Sequence, residues 1–158
     1  MKRRIGTAVA LLGMTAAALV TAAPAAHAYP TCDGTKLTGV GSHLFSAIVP
    51  AYTAGNDTLD CVMGVGNQSW GVIVLQLTLN KCYGQHIDVD GIYGQQTRQA
   101  VANAQTWERV AFRRPVSTDG AYGPETRRAM HWYGEQTGQG GTNPINICMR
   151  LDGTRDIR

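Results

Sequence analysis

A short motif occurs twice in this chain, and the repeat limits the folds that the chain can adopt. Residues 90–101 align with 119–130 at an offset of 29 residues, and seven of the twelve aligned positions are identical. The shared pattern is Asp-Gly-x-Tyr-Gly-x-x-Thr-Arg-x-Ala. Such self-similarity is typical of a structural unit that is used more than once.

Each copy of the motif has the features of a turn that leads into a helix. Asp-Gly is a turn dipeptide, because glycine accepts a positive φ. Gly94 and Gly123 stand where a helix N-cap is expected, and Pro124 falls at the first helical position, where its missing N–H costs nothing. Small and apolar residues then recur at helical spacing as far as Ala104 in the first copy and Tyr133 in the second.

A further helix is predicted before the first copy. Asn67 or Ser69 can cap it, and an apolar stripe runs along 72–79. The sequence therefore predicts a three-helix domain, within 61–133, whose helices are joined by two Asp-Gly-x-Tyr-Gly loops.

The segments on either side of this domain have a different character. Two short strand-like runs, 36–40 and 44–49, lie within 29–60 and predict a small β-hairpin arm. The segment 134–158 begins as a loose linker rich in Gly and Gln, and 146–151 is predicted to return as a short strand. The predicted fold class is therefore mainly α: a three-helix domain with a small N-terminal β-hairpin arm and a C-terminal tail.

Residues 1–28 have the layout of a secretory signal peptide. A basic start at 2–4 precedes an apolar run, and Ala-His-Ala at 26–28 forms a small-x-small cleavage site. The remaining chain, 29–158, has eleven basic and eleven acidic residues. This balance argues against binding to nucleic acid or to anionic lipid. We expect a secreted or cell-wall-associated protein with no nucleic-acid partner and no membrane association once the signal is cleaved.

All four cysteines lie after the predicted signal peptide. An even count in a small exported chain predicts two disulfides, and three pairings are open. We favour Cys32–Cys61, which would tie down the N-terminal arm, and Cys82–Cys148, which would pin the C-terminal tail. Zinc is the alternative, but the chain has no C-x2-C pair and no ligand spacing among its histidines. We expect no metal and no cofactor.

These motifs together resemble the three-helix, type 1 family of peptidoglycan-binding domains. That family has a Val-x-x-Leu-Gln-x-x-Leu helix, an Asp-Gly-x-Phe/Tyr-Gly-x-x-Thr loop, an Ala-Val-x-x-Phe-Gln segment and a second such loop. Here the four elements begin at Val72, Asp90, Ala100 and Asp119 and cover about half of the predicted mature chain. The sequence departs from the pattern at Ala104, which replaces the usual aromatic, and the stretch that follows is longer than usual.

The resemblance implies a module that binds the stem peptide or the glycan of peptidoglycan beside the two loops. The residues that we expect to contact this ligand are Asp90, Tyr93, Arg98, Asp119, Tyr122 and Arg127. Carboxylates accept hydrogen bonds, tyrosine combines an apolar face with a polar tip, and arginine offers a bidentate fork to a carboxylate. Each residue type also has a structural alternative: Asx-type loop closure, plugging of the helical core, and a solvated helix face, respectively.

Two other pairs of residues have mainly structural interpretations. Gln76 and Gln105 belong to the family pattern and are expected to tie the loop backbone as buried amides. Trp107 and Trp132 can line a groove, although large aromatic residues in a small domain are more often part of the core.

Catalysis has little support in the sequence. A glycosidase needs two carboxylates that flank the scissile bond, and none of Glu108, Glu125 and Glu135 lies in a suitable motif. The chain has neither a His/Asp/His set for a metallo-amidase nor a Gly-x-Ser-x-Gly motif. We expect a non-catalytic module. The alternatives are a cell-wall hydrolase or its targeting subunit, and an exported protein-interaction or inhibitor domain that binds its protein partner through 29–60.

Overall fold

The computed structural model describes residues 28–40, 45–136 and 145–152. The elements, in chain order, are β1 (Gly34–Val40), β2 (Phe45–Ala51), α1 (Trp70–Tyr83), α2 (Gln95–Ala111), α3 (Pro124–Ala129), β3 (His131–Gln136) and β4 (Ile145–Arg150). The predicted signal peptide lies outside the described residues except for its last residue. Most of the predicted linker, 137–141, and the end of the tail, 153–158, also lie outside them.

The three helices begin where the sequence predicts, and α1 also ends close to its predicted end. The Ser69 hydroxyl caps α1 by accepting a hydrogen bond from the Val72 N–H, and Gly84 closes the helix in the left-handed conformation. Gly94 precedes α2, and Gly123 precedes α3, which has Pro124 in its first turn. The capping predictions are confirmed because caps depend on residues that are neighbours in sequence.

The predicted fold class, mainly α, is wrong. One antiparallel sheet holds four strands in the order β1-β2-β3-β4 and packs against α1. The predicted hairpin of β1 and β2 is present, but it is only half of this sheet. Residues at the start of β2 pair with the end of β3, and β3 pairs along its length with β4. The fold therefore combines a three-helix unit with a sheet built from both ends of the described chain.

The error has a local cause at the end of the third helix. The helical spacing of small and apolar residues continues in the sequence to Tyr133. In the structure, however, α3 ends at Ala129 and the Met130 backbone is already extended. Gly134, expected to begin a loose linker, lies within β3. A Cβ at this position would overlap the Ser46 carbonyl oxygen and the Phe45 ring, so glycine allows β3 to approach β2 closely. That requirement depends on a partner strand far away in sequence.

Two disulfides connect the elements, with the pairing that the sequence favours. Cys32–Cys61 joins the residues before β1 to those after β2, and Cys82–Cys148 joins the end of α1 to β4. The core between the helices and the sheet includes large buried side chains from both. The main ones are Phe45, Val49, Val72, Leu75, Leu79, Tyr93, Val101, Tyr122, Met130 and Trp132.

No helix within 28–40, 45–136 and 145–152 combines the length and the apolar character that crossing a bilayer requires.

Candidate functional site

A single buried glutamine organises the first Asp-Gly-x-Tyr-Gly loop. The Gln76 amide nitrogen donates to the Asp90 carboxylate at 2.8 Å, to the Ile92 carbonyl at 3.1 Å and to the Thr97 hydroxyl at 3.0 Å. The Gln76 carbonyl oxygen accepts from the Gly91 N–H at 2.9 Å. One side chain from α1 thus fixes the loop that follows it, as the sequence predicts.

The second loop repeats this network atom for atom. The Gln105 amide nitrogen donates to the Asp119 carboxylate at 3.3 Å, to the Ala121 carbonyl at 2.9 Å and to the Thr126 hydroxyl at 2.9 Å. The Gln105 carbonyl oxygen accepts from the Gly120 N–H at 2.9 Å. The structural repeat is therefore longer than the motif, because it includes the glutamine of the preceding helix.

Both aspartates close their own loops and remain exposed to solvent. Oδ1 of Asp90 accepts from the Ile92 N–H, and Oδ1 of Asp119 accepts from the Ala121 N–H, each at 2.9 Å. The hydrogen bond from Gln76, followed by that from the Ile92 amide, lowers the pKa of Asp90. No hydrogen bond joins Oδ2 of either aspartate to the described part of the chain. Each residue thus performs the Asx-type closure and still has a carboxylate oxygen available to a ligand.

The two tyrosines are buried, in contrast to the aspartates. Tyr93 and Tyr122 have almost no exposed surface, and burial raises the pKa of both hydroxyls. Tyr93 donates to the Gly120 carbonyl at 2.8 Å, so it joins the first loop to the second. Tyr122 lies edge-on to Trp132 with ring centroids 6.1 Å apart. Neither ring offers a face to a sugar, and both occupy the core positions that were the structural alternative.

The two arginines have different environments although they are equivalent in the repeat. The Arg127 side chain is only 12% exposed and forms an ion pair with Asp60, with Nη2 2.7 Å from Oδ1. Arg98 is exposed, and its Nε lies 3.4 Å from the Asp119 carbonyl. The sequence gives no signal for the Asp60 contact, because Asp60 and Arg127 are 67 residues apart.

A close backbone approach brings Arg98 and Asp119 together. Gly120 has a φ of 73°, and a Cβ at this position would lie 2.6 Å from the Arg98 carbonyl oxygen. A larger residue would push the second loop away from the start of α2. The glycine of the second motif copy therefore allows the second loop to lie against the first turn of α2, which carries Arg98.

Arg98 and Asp119 line a hollow of about 400 Å³ on the outer side of α2, which we call the Arg98 hollow. Its other lining residues are Gln95, Gln99, Ala102, Asn103, Thr106 and Thr118. Of the six predicted ligand contacts, only these two line it. Asp119 also borders a second hollow of about 580 Å³, where the second loop faces residues 62–67. Arg128 and Glu125, which are not among the six predicted ligand contacts, also line this second hollow.

A buried polar cluster lies at the far end of α2. The Glu108 side chain is fully buried, accepts from the Tyr83 hydroxyl at 2.6 Å and lies 2.7 Å from His131 Nδ1. Burial, followed by the Glu108 carboxylate, raises the pKa of Tyr83. The repeat contains a signal for the burial of Glu108. At the repeat offset of 29 residues, Glu108 corresponds to Leu79, which is a core residue of α1. Within the described ranges, no group of three or more His, Cys, Asp or Glu residues could hold a metal ion.

Comparison with known families bears on the helical part of the chain. Residues 69–130, from the cap of α1 to the end of α3, match the family model described as a putative peptidoglycan binding domain. The match covers both loops and less than half of the chain. Separate searches of curated proteins and of solved structures found no match. The resemblance predicted from the sequence is thereby confirmed for this segment, which is similar to the putative peptidoglycan binding domain family and supports a role in binding peptidoglycan.

Proposed function

We propose that the protein is a secreted, non-catalytic module that binds peptidoglycan at the Arg98 hollow. The observation that carries this proposal is the meeting of Arg98 and Asp119 in one hollow of about 400 Å³. The two residues come from different copies of the motif that carries the family resemblance.

The charges in this hollow suit a stem peptide, which presents carboxylate and amino groups. The Arg98 Nε points to the Asp119 carbonyl, while its terminal nitrogens form no hydrogen bond to the described residues. A guanidinium in this state offers a bidentate fork to a carboxylate. Oδ2 of Asp119 can accept from a peptide N–H or ammonium group. Gln95 and Gln99 add neutral amides at the rim.

The export and the absence of catalysis are supported by separate features. The layout of 1–28 supports a signal peptide, and the two disulfides suit an oxidising compartment. Glu108, one of three candidate catalytic glutamates, is fully buried and already hydrogen bonded. The matched family is described by binding and not by a reaction.

Co-sedimentation with purified sacculi tests this proposal. The secreted protein, purified with both disulfides intact, should pellet with sacculi. Arg98→Ala should bind roughly ten- to a hundredfold more weakly, because a hydrogen bond to a charged group contributes roughly 1.5–3 kcal/mol. Arg109→Ala is the matched control, since Arg109 is an exposed arginine of the same helix outside the hollow.

Two outcomes would contradict the proposal at different levels. If the wild-type protein stays in solution, the chain does not bind peptidoglycan. If the wild type pellets and Arg98→Ala pellets equally well, the chain binds peptidoglycan but not at the Arg98 hollow. A second measurement, release of soluble fragments from the same sacculi, would contradict the non-catalytic part if fragments accumulate.

A further inference from the structure

The second hollow beside Asp119 is built by two separate parts of the chain. We call it the Tyr29 hollow, and its volume is about 580 Å³. Tyr29 and residues within 62–67 line one side, and residues within 117–128 line the other. Only the second side belongs to the segment 69–130 that matches the family model. The hollow is therefore a feature that residues outside the family segment complete.

A short backbone ladder holds Tyr29 against the second loop. The Val62 N–H donates to the Pro30 carbonyl at 2.9 Å, and Met63 exchanges two hydrogen bonds of 2.9 Å with the Tyr122 backbone. The first disulfide bridges the two outer segments of this ladder. Because Tyr29 directly precedes Pro30, its place beside the second loop is fixed before any ligand arrives. A preorganised site loses less conformational entropy when it binds.

The side chains around the hollow combine an aromatic ring with charged hydrogen-bonding groups. Tyr29 is 50% exposed. Oε1 of Glu125 accepts from the Ser117 N–H at 2.7 Å, and no hydrogen bond joins its Oε2 to the residues that the structure describes. The Arg128 side chain is 62% exposed, and one of its terminal nitrogens lies 3.4 Å from Asp60. A ligand in the hollow thus meets an aromatic surface, carboxylate acceptors and guanidinium donors.

The internal repeat indicates that the charges at 125 and 128 are not needed for the shape of the loop. Moving back 29 residues leads from Glu125 to Gln96 and from Arg128 to Gln99. The first loop, with these neutral residues, has the same glutamine-centred hydrogen bonds as the second. The charged pair is therefore available for a role that the second copy alone performs.

This combination of groups suits a pyranose ring that carries an N-acetyl group. The apolar face of a sugar packs on an aromatic ring, and its hydroxyls donate to carboxylates in charge-assisted hydrogen bonds. Val62 and Pro124 also line the hollow and offer apolar contact to an acetyl methyl group. The volume falls within the range of about 300–1,000 Å³ that is usual for ligand pockets.

We propose that the Tyr29 hollow binds the glycan strand of peptidoglycan, with an N-acetylated sugar packed on the Tyr29 ring, while the stem peptide reaches Arg98. This inference rests on the proposed function for the class of polymer, and it assigns the sugar part to separate residues. Asp119 lines both hollows, so the two subsites share a wall. A sugar and the peptide attached to it can therefore occupy neighbouring subsites.

The test compares two exposed aromatic residues on a ligand without peptide. Tyr29→Ala should bind chitotetraose, an N-acetylglucosamine oligomer, about tenfold more weakly than the wild type and should also lose affinity for sacculi. Trp70→Ala is the matched control, because Trp70 is 69% exposed on α1 and lines neither hollow. Arg98→Ala should lose affinity for sacculi but keep its affinity for chitotetraose.

Amide chemical shifts provide a second measurement that needs no variant. Chitotetraose should move the amide signals of 117–128 in the wild-type protein and leave those of β1 unchanged. The inference is overturned if the wild type does not bind chitotetraose, if other signals move instead, or if Tyr29→Ala binds it equally well, even when sacculi still pellet the protein. If chitotetraose binds through Tyr29 but sacculi do not pellet the protein, the sugar site stands and the proposed function fails.

Discussion

The two Asp-Gly-x-Tyr-Gly loops have the same internal hydrogen bonds and different surroundings. Both are fixed by a buried glutamine, and both tyrosines pair through their backbones with the same short segment. Met63 exchanges two hydrogen bonds with Tyr122, while Gly66 and Asn67 bond to the backbone of Tyr93. The comparison shows that the motif encodes the shape of a loop. What the loop presents to solvent depends on the elements that later pack around it.

The arginines give the clearest example of this difference. Arg127 follows the second loop and forms an ion pair with Asp60, whereas Arg98 follows the first loop and its Nε donates to the Asp119 backbone carbonyl. Arginine at the same motif position therefore forms an internal ion pair in one copy and is a candidate ligand contact in the other. A repeat in sequence therefore predicts paired structure but not paired function.

The largest effect is expected when the buried glutamines are replaced. Gln76→Leu and Gln105→Leu each remove the partners of several buried loop groups, and each unsatisfied group costs about 1–3 kcal/mol. We expect each variant to lose about 3 kcal/mol or more of unfolding free energy, measured by urea denaturation. Gln96→Leu, at an exposed position of α2, serves as the control. If only one of the two variants loses unfolding free energy, the two glutamines do not contribute equally to their loops.

The dependence of stability on high pH should show whether the buried tyrosine hydroxyls of the two loops stay protonated in the folded protein. Tyr83, Tyr93 and Tyr122 have raised pKa values in the folded state, whereas tyrosines of the unfolded chain ionise near pH 10. Above that pH the unfolded state binds fewer protons, so stability should be intact below about pH 10 and fall as the pH rises. Each tyrosine that stays protonated adds about 1.4 kcal/mol per pH unit to the slope.

The variant Tyr122→Phe should therefore flatten this alkaline slope. Unfolding free energies measured by urea denaturation between pH 9 and pH 11 would show the change. An unchanged slope would mean that the Tyr122 hydroxyl already ionises in the folded protein. Tyr29→Phe, at a half-exposed position, is the control.

The smallest expected effect is a difference in unfolding free energy between Tyr93→Phe and Tyr122→Phe at neutral pH. The Tyr93 hydroxyl bonds to the Gly120 carbonyl, so Tyr93→Phe should cost about 1 kcal/mol of unfolding free energy. The Tyr122 hydroxyl has no hydrogen-bond partner among the described residues, so Tyr122→Phe should be neutral or slightly stabilising. Thermal melts of both variants at pH 7 measure this difference. Equal losses would show that the two rings are held alike.

The helices and loops could be predicted because their determinants are close together in sequence. The Ser69 cap, Pro124 and the glutamine-to-loop contacts all act within about one repeat of the chain. The sheet could be predicted only in part, since the pairing of β2 with β3 joins residues such as Ala47 and Gly134 that lie far apart. Strand pairing over such a distance leaves no periodic signal at either end.

The candidate site was predictable to a similar extent. The motif correctly marks Arg98 and Asp119 as residues that lie near a loop, but residue type alone does not tell that Tyr93 and Tyr122 are buried. Nor does it reveal that Asp60 neutralises Arg127, which depends on the position of the arm. Trp107 had two interpretations, and its ring is 44% exposed in a structure whose sheet packs mainly against α1.

The positions of the two disulfides also determine how the protein responds to mechanical force. Tension applied along the chain passes through Cys32–Cys61 and Cys82–Cys148, so between these cysteines only the stretch from Cys61 to Cys82 can be drawn out. Both Asp-Gly-x-Tyr-Gly loops, together with the whole outer face of α2, lie inside the ring closed by the second disulfide. Held in a cell wall under turgor, the protein would keep these surfaces unloaded while the rest of the chain carried the strain.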